Sequence, residues 1–212
     1  MQKYIPLETY SRRSQFEYFS SLQNPHVGVT ADVDVTDLLA FCRERGYSFY
    51  LTFMHAAALA ANGVPAFRQR IDGDGIVEYD FCNTSHTESA GDGNFCFCTL
   101  RHNLPFAEYI QQAEAAQKRC RETNEFAEDP DAASLLFISS SPWFKYTALI
   151  QPTNGAKDSN PRITWGKYEP DWRGRQMMPV SLLCHHALVD GAHFALFYAH
   201  LGEEMKRIVT GG

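Results

Sequence analysis

The stretch "LLCHHALVDGAHFALF", Leu182 to Phe197, sets His185 and His186 between an apolar run and an amphipathic one, with Asp190 and Gly191 close behind. Imidazole gives and takes protons near neutrality. A histidine held at a strand end beside a sharp turn is therefore a candidate general base, and His186 is the one so placed. Asp190 suits the N-cap of the helix that follows, and Gly191 lets the chain turn tightly. The same residues also read as a capped helix beside two solvated histidines, and spacing alone does not choose between the two.

Other chemistries find less support. His193 and His200 lie two helical turns, ~10 Å, apart, too far to share one zinc. On a strand His185 and His186 point to opposite faces, and Cys184 shares a face with His186, which offers two ligands at most. No C-x-x-C or H-E-x-x-H motif adds to them, so no metal is expected. G-x-S-x-G, the Walker A loop and G-x-G-x-x-G are also missing. The cysteines at 42, 82, 96, 98, 120 and 184 do not suggest a disulfide framework in a long, leaderless chain. Cys96 and Cys98 share one face of a strand and read as small apolar core residues.

Several elements must position these groups. "VGVTADVDV" puts Val27, Val29, Ala31, Val33 and Val35 on one face of a half-buried strand. "TDLLAFCRERG" reads as a short helix from an N-cap at Thr36 to Gly46. "SFYLTFMHAAALAANG" reads as a second helix, and "IDGDGIVEY" as a hairpin with Asp-Gly turn signals. "NFCFCTLR" alternates as a strand, and "PFAEYIQQAEAAQKRCRET" is a long helix with Pro105 in its first turn. "SLLFISS", "WFKYTALI", "RITWGKY" and "MMPVSLLCHH" read as four further strands. The last helix carries an apolar stripe of Phe194, Phe197, Leu201, Met205 and Ile208. Strands and helices mix without strict alternation, which predicts an α+β fold with a mixed β-sheet and helices packed on it.

The chain has 212 residues, 44% hydrophobic and 21% charged, enough for a sizeable core. The longest loops, "NEFAEDPDAA" and "QPTNGAKDSNP", separate no change of composition, so residues 1–212 are expected to form a single domain. A net charge of -6 argues against nucleic acid or an anionic membrane as partner. No run reaches the ~18 apolar residues of a membrane span. The start, "MQKYIPLETY", lacks a signal-peptide h-region, so a cytoplasmic protein is expected.

"HHALVDG" matches the H-H-x-x-x-D-G signature of chloramphenicol acetyltransferases and, less closely, the acyltransferase core of 2-oxo acid dehydrogenase complexes. Further stretches resemble the same acetyltransferase family in the same order: "SRRSQFEYF", "YSFYLTFMHAAALAAN", "FRQRIDGDGIVEYD", "SSSPWFKYTAL", "ITWGKY" and "MPVSLLCHHALVDGAHF". The resemblance implies a two-layer sandwich that works as a homotrimer, with each active site at a subunit boundary. It also implies acetyl transfer from acetyl-CoA, as co-substrate, to a hydroxyl of chloramphenicol or a related small molecule, an antibiotic-resistance activity. Under it His186 is the general base and His185 is structural. Asp190 pairs with Arg13, Arg12 being the less favoured choice, and braces the turn. Thr164 matches a threonine that holds a water near the tetrahedral intermediate; it reads equally as an ordinary strand residue. Trp143 is expected in the core.

Two departures stand out. Ala148 takes the place of the family's oxyanion serine, and the neighbouring Thr147 should point to the other face of a strand. Losing one oxyanion donor costs ~10²–10³ in rate. Ala192 replaces the bulky aromatic that often follows the D-G pair. These leave open an acyltransferase with a different acceptor, or a trimeric binding protein without turnover. The sequence shows no recognisable motif for the phosphates of CoA.

Overall fold

The computed structural model describes residues 1–91, 93–123, 127 and 129–211, with Ala90 described as backbone only. In chain order the elements are β1 (Gln2–Pro6), α1 (Arg13–Ser20), β2 (His26–Asp34), α2 (Thr36–Arg45), α3 (Phe49–Asn62), β3 (Gln69–Asp72), β4 (Gly75–Tyr79), β5 (Thr84–Gly91), β6 (Asn94–Leu100), α4 (Phe106–Thr123), β7 (Leu136–Ser141), β8 (Arg162–Gly166), β9 (Glu169–Pro170), β10 (Gln176–His185) and α5 (Gly191–Thr210). The main sheet runs β2-β10-β8-β7-β5-β6, with β9 paired to β10, and β1-β4-β3 form a second small sheet. The β8–β7 and β7–β5 pairs are parallel and the other pairs antiparallel, so the sheet is mixed, in the α+β arrangement expected.

Period-two alternation divides the main sheet into two unlike faces. On one, Ile138, Ile163, Trp165, Met178, Val180, Leu182 and Cys184 are buried beneath α3, α4 and α5 in one hydrophobic core. The apolar stripe of α5 is buried at all five predicted positions. On the other face the register lines up Thr30, Ser181, Thr164 and Ser139 as a polar row across four strands. The long segment between β7 and β8 crosses this polar face.

That segment corrects one expectation. "WFKYTALI" is not a strand, although its composition is rich in β-formers. Its neighbour β8 is already paired on both sides, by β7 and β10, so no free edge remains for it. It is held instead by single bonds: Lys167 N–H donates to Phe144 O at 3.0 Å, and the Tyr146 hydroxyl donates to Thr164 O at 3.1 Å. Trp143 is likewise not a core residue; it is 78% exposed.

The cysteines bring a second correction. Cys96 is not a free thiol but forms a disulfide with Cys120, joining β6 to α4, while Cys98 stays free and buried. Cys96 points at the helix layer, and α4 brings Cys120 opposite it from 24 residues away, a pairing that local spacing does not reveal. Helix α2 starts at Thr36 itself, whose N–H and hydroxyl both donate to Asp34 Oδ1, and it ends at Gly46 with φ 71°. Strands β1 and β5 and helix α1 were not expected. Of the loop "NEFAEDPDAA", residues 124–126 and 128 lie outside the described residues.

Candidate active site

Strand β10 ends at His185, so the alternation of faces stops there and His186 belongs to the turn. The pairing of faces expected for Cys184 and His186 therefore does not apply. Leu188 and Val189 N–H both donate to His185 O, and the His186 N–H donates to Pro25 O at 2.8 Å. Residues 187–189 are buried, which fixes the turn from beneath.

The two histidines differ sharply in environment. His185 is 1% exposed and both its nitrogens are occupied: Nε2 donates to Ala156 O at 2.9 Å, and Nδ1 accepts from Ala187 N–H at 3.2 Å. Burial pulls its pKa below the usual histidine value and keeps it neutral. His186 is half-buried and stacks on Phe19 of α1, with ring centroids 3.7 Å apart. Its Nδ1 lies 2.9 Å from Val189 O. A carbonyl only accepts, so Nδ1 carries the proton and the neutral ring presents its lone pair at Nε2. Stacking and the Val189 bond together fix the ring plane and the tautomer.

Asp190 caps α5, accepting from Ala192 N–H at 3.0 Å. Its other oxygen takes Arg12 Nη1 at 2.5 Å, not Arg13. Arg13 points to solvent and pairs with Glu17 one helical turn on. Arg12 precedes the first turn of α1 and Arg13 opens the helix, so one residue of register decides which arginine faces Asp190. Burial alone would raise the Asp190 carboxyl. The Arg12 guanidinium, with help from His193, outweighs it and brings the carboxyl down to about 2. Gly191 does not provide the tight turn expected of it. It has no left-handed backbone, and an added Cβ would meet nothing within 4 Å.

The second group of polar residues lies on the open sheet face. Thr164 is 1% exposed, and its Oγ1 accepts from Gln151 Nε2 at 2.6 Å. Thr30 and Ser181 hydroxyls bond at 2.6 Å, and Ser181 reaches Tyr146 at 3.4 Å. Tyr146 and Gln151 thus anchor an arch over Thr164, and Thr147 and Ala148 lie exposed within it. Since the arch is not a strand, strand parity does not fix where Thr147 points. Neither Tyr146 nor Gln151 was flagged by the sequence; both bonds join residues more than ten apart, and nothing local signals them.

Beside the arch a cavity of about 360 Å³ is lined by Ser85, Phe97, Phe137, Ser139, Gln151 and Arg162, among others. Arg162 is paired with Asp158 at 2.5 Å, so the cavity presents hydroxyls, an amide, aromatic faces and the carboxylate of Asp129. Phe49, Tyr50, Pro142, Trp165, Lys167 and Tyr168 line a second cavity, of about 440 Å³. Aromatic walls with a lysine suit a nucleotide. No group of three or more metal-ligating side chains gathers among the described residues.

His186 and Thr164 do not meet within one chain. Thr164 pairs with Ser181, and His186 lies five residues on, just past the end of β10. At ~3.3 Å per residue this is a separation of roughly 15 Å.

The model of the family described as chloramphenicol acetyltransferase matches residues 2–202. The chain is 28% identical over 198 residues to a chloramphenicol acetyltransferase of Staphylococcus aureus, covering 91% of this chain and 93% of that one. It is 26% identical over 196 residues to chloramphenicol acetyltransferase 2 of Escherichia coli, covering 91% and 92%. A solved chloramphenicol acetyltransferase structure superposes with a TM-score of 0.86 at 25% identity, over 97% of this chain and 100% of that chain. A dihydrolipoamide acetyltransferase of Azotobacter vinelandii shares the fold, with a TM-score of 0.69 at 21% identity over 93% and 88%.

Proposed function

The chain belongs to the chloramphenicol acetyltransferase family, and from that premise we propose that it transfers acetyl from acetyl-CoA to a hydroxyl of chloramphenicol or a related small molecule, with His186 as general base. That it is an acyltransferase follows from the family match and its relatives. The observation that carries the role of His186 is the Nδ1 bond to Val189 O, which in the neutral ring places the lone pair at Nε2 in a fixed direction.

In this reading Nε2 takes the acceptor's hydroxyl proton as that oxygen attacks the thioester carbon, since an alcohol is a poor nucleophile at neutral pH. The imidazolium so formed keeps its Nδ1–H on Val189 O. When the tetrahedral intermediate collapses, the C–S bond breaks and the thiolate recovers the proton from Nε2. Arg12 and Asp190 hold the turn from behind, touching neither reactant. The hydroxyl-lined cavity takes the acceptor, and the cavity of Tyr50, Trp165 and Lys167 takes the nucleotide end of the donor.

The ~15 Å between His186 and Thr164 supports a homotrimer in which one subunit's His186 serves the cavity of its neighbour. The exposed Trp143, Phe144 and Ile150 on the arch are apolar surface that such an interface would cover. Residues 1–212 are read as one domain and the enzyme as cytoplasmic. No helix among the described residues is long and apolar enough to cross a membrane. A second reading keeps the fold and pocket but loses turnover, a trimeric binding protein; Ala148 favours it, and His186 with Asp190 opposes it.

The test is thiol release from acetyl-CoA over a panel of hydroxyl acceptors, with sedimentation of the same protein. Release that depends on acceptor and is abolished in a folded His186→Ala variant is the expected result. His185→Ala should lower stability more than it lowers rate. Near-wild-type turnover without His186, or a stable monomer of 24.0 kDa at micromolar concentration, would refute the reading.

A further inference from the structure

The proposed reaction puts negative charge on the thioester oxygen, and the arch over Thr164 has alanine at the position expected to meet it. We infer that Gln151 supplies the missing donor: its side-chain amide, seated on Thr164, is the oxyanion-stabilising group of this enzyme. The inference rests on the acyl-transfer reading above.

Four observations support it. Gln151 lines the 360 Å³ cavity of the open sheet face. Its Nε2 is fixed by one bond, to Thr164 Oγ1 at 2.6 Å. A primary amide carries two N–H donors, and no other bond engages this amide among the described residues. Finally, Ala148 lies three residues earlier in the same arch, and its side chain brings no donor.

The bond to Thr164 does two things. It orients the amide before any substrate arrives, so the second N–H costs little reorganisation when charge develops. It also occupies a lone pair of Thr164 Oγ1, which turns the hydroxyl proton of Thr164 elsewhere. The result is one free N–H on Gln151 Nε2, held at the cavity wall by a buried strand. Tyr146 steadies the arch by bonding Thr164 O, and Gly166 makes room for it: a Cβ there would lie 2.8 Å from Tyr146 Cε1.

The electron count is that of ordinary acyl transfer. As the acceptor oxygen bonds to carbon, the carbonyl π pair moves to oxygen, where the free N–H of Gln151 meets it. On collapse the pair returns, the C–S bond breaks, and His186 protonates the thiolate. Gln151 exchanges no proton.

The experiment compares steady-state kinetics of the full-length wild type, Gln151→Met, Ala148→Ser and the double variant, with His186→Ala as reference and thermal melts to confirm folding. Methionine keeps the side-chain length of glutamine, and residue 151 is only half-buried, so the fold should survive. Expected is a fall in kcat of ~10²-fold for Gln151→Met, with the acceptor KM within about threefold. Ala148→Ser should then recover at least about tenfold in that background, and gain more there than in wild type, because the hydroxyl replaces the lost donor. A purely structural role for Gln151 would not be rescued by a hydroxyl three residues away. The inference is overturned if Gln151→Met keeps kcat within about threefold while His186→Ala is inactive, or if only KM moves. If His186→Ala retains turnover, or wild type releases no thiol with any acceptor, the acyl-transfer reading fails first and takes the inference with it.

Discussion

Replacing Arg12, not Arg13, should loosen the turn that carries His186. Arg12 meets Asp190 at 2.5 Å with side chains 21% and 32% exposed. Arg13 meets Glu17 at 2.7 Å with side chains 54% and 52% exposed. An exposed i,i+4 pair is worth ~0.3–0.5 kcal/mol, whereas breaking a fully buried pair costs ~3–5 kcal/mol. The partly buried Arg12 pair falls between, at about 2 kcal/mol. Two details refine this. Arg12 Nε and Nη2 are buried with no hydrogen-bond partner among the described residues, so Arg12→Ala also relieves three unsatisfied N–H bonds, and its cost should fall at the low end. Asp190→Asn keeps the cap on Ala192 N–H but strands a guanidinium, and should cost more. The assay is a double-mutant cycle by urea unfolding at fixed protein concentration, since subunit association would otherwise shift the midpoint. Val189 O, which holds His186 Nδ1, belongs to the residue before Asp190, so activity should fall too, by up to ~10²-fold for a displaced base. A cost for Arg13→Ala equal to that of Arg12→Ala, or strict additivity in the cycle, would refute the brace.

Two further outcomes follow from buried groups outside the site. His55 is 2% exposed, with its Nδ1 3.2 Å from that of His102; burial brings His55 down to about 4 and His102 well below its ordinary value. Unfolded imidazoles bind protons below ~6.5. Stability should therefore be full above that pH and fall as pH drops from 6.5 towards 4, by ~3 kcal/mol from His55 alone. Unfolding midpoints across this range, beside a His55→Leu variant with a flatter slope, check it; an unchanged slope would show that the pair is not responsible. Gly166→Ala should push Tyr146 off Thr164, because the new Cβ would lie 2.8 Å from Tyr146 Cε1 and 2.9 Å from Pro179 Cγ. A loss of ~1–3 kcal/mol with reduced kcat is expected, and a melt identical to wild type would contradict the packing.

The sequence signals that succeeded were local and periodic. The α5 stripe recurs every three or four residues, Asp190 stands one residue before its helix, and Gly46 ends α2 in the left-handed conformation that glycine favours. What was missed depends on distant partners. "WFKYTALI" has strand composition, but the sheet offers it no edge, and no local rule counts edges. Strand β5, "TSHTESAG", lacks an apolar alternation because His86 and Glu88 face the helix layer, where Arg121 and Gln117 of α4 satisfy Glu88. The Arg12–Arg13 choice turned on where α1 begins, and helix boundaries are the least certain feature of a sequence reading. The disulfide joined cysteines that no motif connects.

The adjacent histidines show how one residue of strand length divides structure from chemistry. His185, the last residue of β10, points across the sheet's open face, where Ala156 O takes its Nε2–H and the backbone of Ala187 occupies its Nδ1. It has no nitrogen left to react. His186 is the first residue free of the ladder, and the turn that follows bends Val189 O back onto its Nδ1, which fixes the opposite tautomer. Both rings are thus set by backbone groups of their own turn or of the crossing loop, and neither depends on a carboxylate for orientation. Asp190 contributes one step further back: with its charge committed to Arg12 and its cap to Ala192 N–H, it fixes where α5 starts and hence where Val189 O points. Lengthening β10 by one residue would draw His186 into the alternation, turn its ring to the helix face and remove the Val189 bond. The pair is consecutive because the strand must end between them.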